Sequence, residues 1–472
     1  MQQRRTNPFG VLALLPTEVM DREELLFQAA QRAVDYLRRI RQRGVAPTEA
    51  AVAALQGFAE HLPEALTDPA DVLKQLDEVG SPGTVANAGG RFFGFVNGGS
   101  VPAALAANVL AAAWDQNASL RVMSPVGAVL EDVALGWIRD LLGLPGEAAG
   151  SLVTGATMAN MSCLLAARHA LLARTGWDVE AQGLFGAPAF SVVVGAEVHA
   201  SLRKALAMAG LGRDRVISVP TDSQGRMRSD AFPKLDAPAL ICIQAGNVNT
   251  GAFDPADEIC LAARDSGSWV HVDGAFGLWA ACAPARAHLM HGFNAADSWA
   301  TDAHKWLNVP YDCGLAFVRD GAALYQAFNL QAAYLPPGAL RDPMQWTPES
   351  SRRARGVEVW AALKSLGRSG LAEMVERTCC HAERFAEGLR AAGHSILNDV
   401  VINQVLVHFG NDRTTQAVID EVQRDGTCWC GGTVWHGQRA MRISVSSWLT
   451  DEEDVEWSLD AILRAAKECQ AE

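Results

Sequence analysis

The 472-residue sequence predicts an α/β protein: a mostly parallel sheet covered by helices, with a helical N-terminal arm and a smaller α+β domain at the C-terminal end. Three observations carry this prediction. Short apolar runs, "SLVT", "SVVVGA", "RVISVP", "ALICIQAG", "SWVHVDGA" and "CGLAFV", recur from residue 151 to about 320. Helical patterns such as "MANMSCLLAARHALLAR" and "DEICLAARDSG" separate most of them. Runs that are apolar throughout, rather than alternating, belong to strands buried on both faces, as in parallel sheets. Finally, the chain is too long for one ordinary core.

Residues 1–80 form the arm. "DREELLFQAAQRAVDYLRRIRQ" carries apolar residues three and four apart, with Asp21 as N-cap, and helical character extends from about residue 20 to 75. The Gly-rich "VGSPGTVANAGGRFFGFVNGGS" reads as loop and turn. "VPAALAANVLAAAW" is too short to span a membrane and reads as a buried helix. The large domain covers 81–355. A long helix from "SSRRARGVEVWAALKSLG" leads into the small domain, 356–472, where "VINQVLVHF" and "AMRISVSS" read as strands and "DEEDVEWSLDAILRAAKE" as a closing helix.

With 40 basic and 53 acidic residues, the net charge of −13 argues against nucleic acid and against anionic membranes as partners. The start, "MQQRRTNPFGVLALLPTEVM", holds too short an apolar run to span a bilayer, and no cleavage site follows. The ten cysteines show no paired CxxC and no spaced histidines, so no metal site is expected. They read as reduced thiols of a cytoplasmic protein.

In a covered parallel sheet, ligands bind beyond the carboxyl ends of the strands. Four groups fall there. "TGATMAN" places Gly155, Ala156 and Thr157 at a helix start, which is either a tight turn or a phosphate site. His199 follows "SVVV" and either caps the next helix or stacks on a flat ligand. Asp273 ends "SWVHVD" and needs a partner, either as an N-cap or through a cationic ligand, with Ala275 leaving room for a ring. Lys305 lies between His304 and Trp306 beside apolar "CGLAFV", an unusual setting for a surface lysine.

Together the four match the needs of pyridoxal phosphate. That cofactor requires an amine for a Schiff base, a carboxylate for the pyridine nitrogen, an anion site for the phosphate and a group over the ring.

At these residues the sequence resembles the group II pyridoxal-phosphate-dependent amino acid decarboxylases, of the aspartate-aminotransferase fold type. "SPVGAVLEDVALGWIRDLLGLP" resembles the helix before the family's phosphate loop. "TGATMAN" resembles that loop, with Met158 where glutamate is common. "VHASLRKA", "HVDGAFG" and "DAHKW" resemble the ring-stacking, aspartate and lysine segments. "SRRARGVEVWAALKSLG" resembles the start of the closing helix, and "MRISV" the strand whose arginine, Arg442, helps hold the substrate carboxylate.

The resemblance implies pyridoxal-phosphate fold type I with a seven-stranded sheet. Lys305 then carries the cofactor, Asp273 pairs with the pyridinium nitrogen and His199 stacks on the ring. Gly155, Ala156, Thr157 and His304 hold the phosphate, Asp302 and Ala275 also belong to the cofactor-binding set, Asn249 lies near the cofactor hydroxyl, and Phe93, Phe95 and Asn97 line the substrate pocket. It also implies a homodimer with sites at the interface.

The implied reaction converts an L-amino acid, aromatic or apolar, to its amine and CO2. One departure matters. Family members acting on aromatic amino acids carry a mobile-loop tyrosine that delivers the final proton, whereas "LPPGALRDPMQWTPES" has none, and Pro343 stands about where it would be. The chain's tyrosines are Tyr36, Tyr311, Tyr325 and Tyr334, and another acid, His199 being one candidate, must act. The alternatives are Cα–Cβ cleavage of the aldolase type or diversion to an aldehyde. A paralogue that has lost catalysis is disfavoured by the intact Lys305, Asp273 and His199.

Overall fold

Prolines cut the N-terminal segment into short helices in this computed structural model, which describes residues 22–330 and 340–471. Helix α1 (Arg22–Arg39) opens with Glu23 and Glu24 and closes with Arg38 and Arg39, complementing its dipole. Thr48 caps α2 (Glu49–Ala54), and Asp68 caps α3 (Pro69–Gln75), which continues through a wider turn, Leu76–Gly80, into α4 (Ser81–Gly83). The single helical stretch expected from about 20 to 75 is thus divided, with Pro47 and Pro63 in the breaks. Asp21 lies outside the described residues. Among the described residues, those up to Ala86 form one compact unit, and those from Asn87 form a second.

The second unit begins with an irregular Gly-rich stretch, then α5 (Pro102–Trp114) and α6 (Pro125–Leu141). There follow β1 (Ala149–Val153), α7 (Ala156–Ala173), α8 (Val179–Gln182), β2 (Ser191–Gly195), α9 (Ala200–Met208), β3 (Ile217–Val219) and β4 (Ala239–Gln244). Next come α10 (Ala256–Ser266), β5 (Trp269–Asp273), β6 (Ser298–Asp302), β7 (Gly314–Val318) and α11 (Gly321–Phe328). These seven strands form one sheet in the order β1-β7-β6-β5-β4-β2-β3. All neighbours pair in parallel except β7, which runs antiparallel to both β6 and β1. The reason is local: the β6–β7 connection contains no crossover helix, so the chain must turn straight back. That tight return carries Lys305.

Alternate residues of each strand enter separate cores. Ile241, Ile243, Val270 and Val272 pack on one face, and Leu240, Cys242, Trp269 and Ala300 on the other. Burial on both faces explains why these strands read as continuous apolar runs.

The long helix α12 (Gly356–Ala391) bends at Gly367, whose φ of 61° lies outside the helical region. A second sheet, ordered β10-β11-β9-β8, follows: β8 (Ser395–Ile396), β9 (Gln404–His408), β10 (Gly431–Trp435) and β11 (Gln438–Ser444). With α13 (Asp412–Asp425) and α14 (Glu452–Ala471) it encloses a third core around Phe385, Val405, Met441 and Ile443. The short strands β8 and β10 carry too little apolar patterning to be read from sequence. One helix departs from expectation: of α5 only Ala104 is buried, while Val109, Leu110 and Trp114 are exposed.

Candidate active site

The parallel strands end on one side of the sheet, and β1, antiparallel to β7, ends there too. Asp273, the last residue of β5, is 5 % exposed. Its Oδ2 accepts from Asn160 Nδ2 at 3.1 Å and its Oδ1 from the Ala275 N–H at 3.3 Å. A hydrogen-bonded chain runs behind it. His271 Nε2 lies 2.9 Å from Asn160 Oδ1, His271 Nδ1 lies 3.0 Å from Ser298 Oγ, and Trp269 Nε1 donates to that Oγ at 2.9 Å.

The Asn160 amide N–H can only donate to the carboxylate, so Asn160 Oδ1 must accept from His271 Nε2. Nδ1 of the neutral ring must then accept from the Ser298 hydroxyl, which takes the Trp269 N–H. Trp269 donates to Ser298, Ser298 to His271, His271 to Asn160, and Asn160 to Asp273. Burial holds the His271 pKa down at about 3, so its ring stays neutral and adds no competing cation. Both Asp273 oxygens therefore meet donors, as an acceptor-only carboxylate requires.

Asp302 ends β6 and is also buried. Its Oδ1 accepts from the Ala156 N–H at 2.5 Å, and its Oδ2 lies 2.9 Å from Lys305 Nζ. One carboxylate thus joins the lysine to the first turn of α7. Thr157 follows Ala156 in that turn and keeps a hydroxyl and a helix-terminal N–H. Gly155 precedes it, and a Cβ there would come within 3.1 Å of His304 Cε1. His304 Nδ1 accepts from the Cys313 N–H at 3.0 Å, which puts the ring proton on Nε2, 3.5 Å from Asp302 Oδ1. Burial lowers the His304 pKa and keeps this ring neutral.

His199 caps α9: its Nδ1 accepts from the Ser201 N–H at 3.2 Å and lies 2.7 Å from Ser201 Oγ. The capping reading of this residue therefore holds, and the ring also faces the site. Burial lowers its pKa and Lys305 and Arg442 add to that shift, while Asp273 and Asp302 oppose it. Burial likewise lowers the pKa of Arg442, whose Nη1 donates to the Val248 carbonyl at 3.3 Å. Among the described residues, no carboxylate forms an ion pair with Arg442. Next to Val248, Asn249 Oδ1 accepts from Thr433 Oγ1 at 3.0 Å.

The expected pocket residues separate. Phe93 is 1 % exposed and meets Phe385 edge-on at 5.1 Å in the third core, so the expectation that it lines the pocket is corrected. Phe95 is 62 % exposed and stacks on Trp429 at 5.4 Å. Trp429 also stacks on Phe92 at 5.0 Å, and a Cβ on Gly94 would come within 2.3 Å of its ring. Phe95 and Val96 both hold positive φ, 55° and 64°, which is costly for a β-branched residue and turns the Phe95 side chain away from the core. Asn97 Oδ1 accepts from the Tyr311 hydroxyl at 2.7 Å, and the Tyr311 ring stacks on His304 at 4.3 Å.

Sequence reasoning passed over Asn160, His271, Ser298 and Trp429, and gave Tyr311 no place at the site. His271 did leave a signal: a polar residue in an otherwise apolar strand, in phase with Asp273. The others find their partners only through the fold.

The donor set fits pyridoxal phosphate. It offers a primary amine, an acceptor-only carboxylate fixed from behind, a helix N-terminus with a neutral imidazole beside it, and a half-buried guanidinium without a counter-ion among the described residues. Among the described residues, no cluster of His, Cys, Asp or Glu could hold a metal ion, and no helix is long and apolar enough to cross a membrane.

Comparison with known proteins agrees with this chemistry. The family model "Pyridoxal-dependent decarboxylase conserved domain" matches residues 53–409. Tryptophan decarboxylase 1 of Oryza sativa subsp. japonica is 27 % identical, over 96 % of this chain and 95 % of its own. L-2,4-diaminobutyrate decarboxylase of Rhizobium meliloti (strain 1021) is 28 % identical, over 79 % of this chain and 76 % of its own. The fold matches a crystal structure of Oryza sativa TDC with PLP and tryptamine at a TM-score of 0.87 and 23 % identity, covering 97 % of this chain and 99 % of that one. With three quarters of its length inside the family match and a site chemistry to suit, the chain belongs to the pyridoxal-dependent decarboxylases, lyases whose cofactor is pyridoxal 5'-phosphate.

Proposed function

We propose that this chain removes CO2 from an L-amino acid with an aromatic or apolar side chain and releases the amine. The observation that carries the reading is Arg442, a half-buried guanidinium without a carboxylate partner among the described residues, whose charge acts on the same His199 ring as those of Lys305, Asp273 and Asp302. A substrate α-carboxylate would supply the missing counter-ion.

When bound, pyridoxal phosphate supplies the electron sink for the pair left at the α-carbon as CO2 departs. Lys305 Nζ is assigned to covalent attachment of the cofactor. Asp273, backed by Asn160 and His271, holds the proton on the pyridine nitrogen. His199 covers one face of the ring, and Ala275 leaves the other clear. Gly155, Ala156, Thr157 and His304 are assigned to the phosphate, with Asp302 orienting Lys305 and the α7 turn. Asn249 is assigned to the cofactor hydroxyl. Arg442 directs the α-carboxylate, while Phe95 on the Phe92–Trp429 stack supplies an apolar wall and Asn97 a polar contact. That aromatic wall supports the aromatic or apolar substrate class.

The division into an arm (1–80), a cofactor-binding domain (81–355) and a small domain (356–472) belongs to the same proposal, supported by the separate third core. So does a homodimer. Val109, Leu110 and Trp114 on α5, and Val122, Met123, Val126 and Val129 further along the chain, are exposed apolar side chains suited to burial against a second copy. A cytoplasmic location is supported by ten free cysteines.

The test is to load the protein with pyridoxal phosphate, offer the twenty amino acids, follow CO2 and identify the organic product by mass. CO2 with an equal amount of amine from an aromatic or apolar amino acid is the expected result. CO2 with an aldehyde, or cleavage without CO2, would refute the reading.

A further inference from the structure

Decarboxylation that ends in an amine needs one proton at the α-carbon. The bond to the carboxylate breaks, its electron pair forms a new C–H bond, and an acid loses H+. We propose that Tyr311 is the acid that delivers this proton; the inference rests on the decarboxylase reading above.

The strand ends bring four proton carriers together. Lys305 Nζ pairs with Asp302 at 2.9 Å and is assigned to the cofactor. His304 directs its Nε2 proton at Asp302 Oδ1, 3.5 Å away. His199 has its pKa lowered by burial, so at neutral pH it is an uncharged imidazole. The remaining N–H of such a ring is a far weaker acid than a phenol.

Tyr311 has the needed properties. Its ring is held against His304, with 4.3 Å between centroids and 30° between planes, immediately beside Lys305. Its hydroxyl, 2.7 Å from Asn97 Oδ1, lies on a residue assigned to the substrate pocket. Partial burial, with a smaller contribution from Asp302, pushes its pKa up to about 12, so the phenol keeps its proton across the working pH range. The residue is 52 % exposed, which gives the phenolate left after transfer a route to water. The step balances: the O–H bond breaks, the C–H bond forms, and water returns the proton to oxygen.

The other tyrosines are placed differently. Tyr36 bonds Thr84 in the N-terminal unit, Tyr325 packs on Trp346, and Tyr334 lies outside the described residues. Pro343 is buried in a turn anchored by the Met344 N–H on the Ser119 carbonyl at 3.0 Å and by the Arg121 N–H on Asp342 Oδ1 at 2.7 Å. No acid stands at that position.

The test uses the holoenzyme of Tyr311→Phe, which keeps the ring stack, with Tyr334→Phe in parallel. Four quantities are read: thermal midpoint, cofactor dissociation constant by absorbance titration, CO2 and amine. The amine is made in D2O and its α-deuterium located. Tyr311→Phe is expected to keep midpoint and cofactor affinity while amine formation falls roughly 10²- to 10⁴-fold, the usual worth of a positioned acid. Deuterium on a single face in the wild-type amine and on both faces in the residual amine completes the signature.

Wild-type amine formation with single-face deuterium in Tyr311→Phe would overturn the proposal. So would a loss confined to Tyr334→Phe, or a Tyr311→Phe loss explained by weaker cofactor binding. Wild-type protein that releases no CO2 from any amino acid would instead bring down the decarboxylase reading, and this inference with it.

Discussion

Asn160 and Asp273, 113 residues apart in sequence, are joined by a 3.1 Å hydrogen bond from Nδ2 to Oδ2. Asn160 also accepts from His271, so its side-chain amide is the single link between the buried chain of donors and the carboxylate. Asn160→Leu fills the same space and leaves Asp273 Oδ2 and His271 Nε2 without their hydrogen-bond partner. Each orphaned buried group costs about 1–3 kcal/mol, so a loss of that order in urea unfolding is expected, together with weaker cofactor binding. Unchanged stability and affinity would show that the link holds nothing in place.

Gly98 should tolerate no side chain. A Cβ there would stand 1.9 Å from the Lys305 carbonyl and 2.8 Å from Asn308 Cγ. Gly98→Ala must therefore push the lysine loop away, at about 1–3 kcal/mol for overpacking. A lower thermal midpoint and reduced cofactor affinity are expected in the same variant. A midpoint drop at normal affinity would mean that the displacement never reaches Lys305 Nζ.

These two contacts show what sequence reading reaches and what it does not. Asp273, Lys305 and His199 were legible because strands buried on both faces are continuous apolar runs, and a polar residue ending such a run stands out. The mostly parallel sheet and the helices between most of its strands followed from the same periodicity. The count of seven strands came only from the family resemblance, because β6, "SWATD", is no apolar run. Asn160 was not legible, since an asparagine inside a helix shows only a poor helix former until its partner arrives from another strand. Trp429 lies far along the chain from Phe92 and Phe95, so their stack exists only once the two segments pair. Phe93 and Phe95 look alike in sequence. Two consecutive residues of positive φ, invisible in composition, separate them, and one goes to the core while the other faces out.

Glu131 and Arg352 form an ion pair at 2.6 Å with both side chains fully buried, and Arg352 also donates to the Leu152 carbonyl at 2.5 Å. Glu131→Gln leaves a buried guanidinium without its counter-charge. Removing one partner of such a pair costs about 3–5 kcal/mol, which denaturant unfolding will read. Because the pair is shielded from solvent, the loss is expected to change little with added salt. A loss that vanishes in high salt would place the pair at an open surface.

The apolar side of α5 gives a prediction about assembly. Leu110→Glu sets a charge in the middle of the exposed Val109, Leu110 and Trp114 surface. Light scattering is expected to find a dimer for the wild type and a shift to monomer for the variant at equal concentration. A wild type that is already monomeric would leave that surface without the partner proposed for it.

The most direct measurement concerns Lys305. The cofactor-loaded enzyme is reduced with borohydride, which makes a reversible carbon–nitrogen link permanent, then digested and mapped by mass. The expected result is a pyridoxyl group on the peptide holding Lys305 and on no other lysine, with amino acid turnover lost in step with its formation. A group on another lysine, or full turnover after Lys305 is modified, would contradict the proposed site.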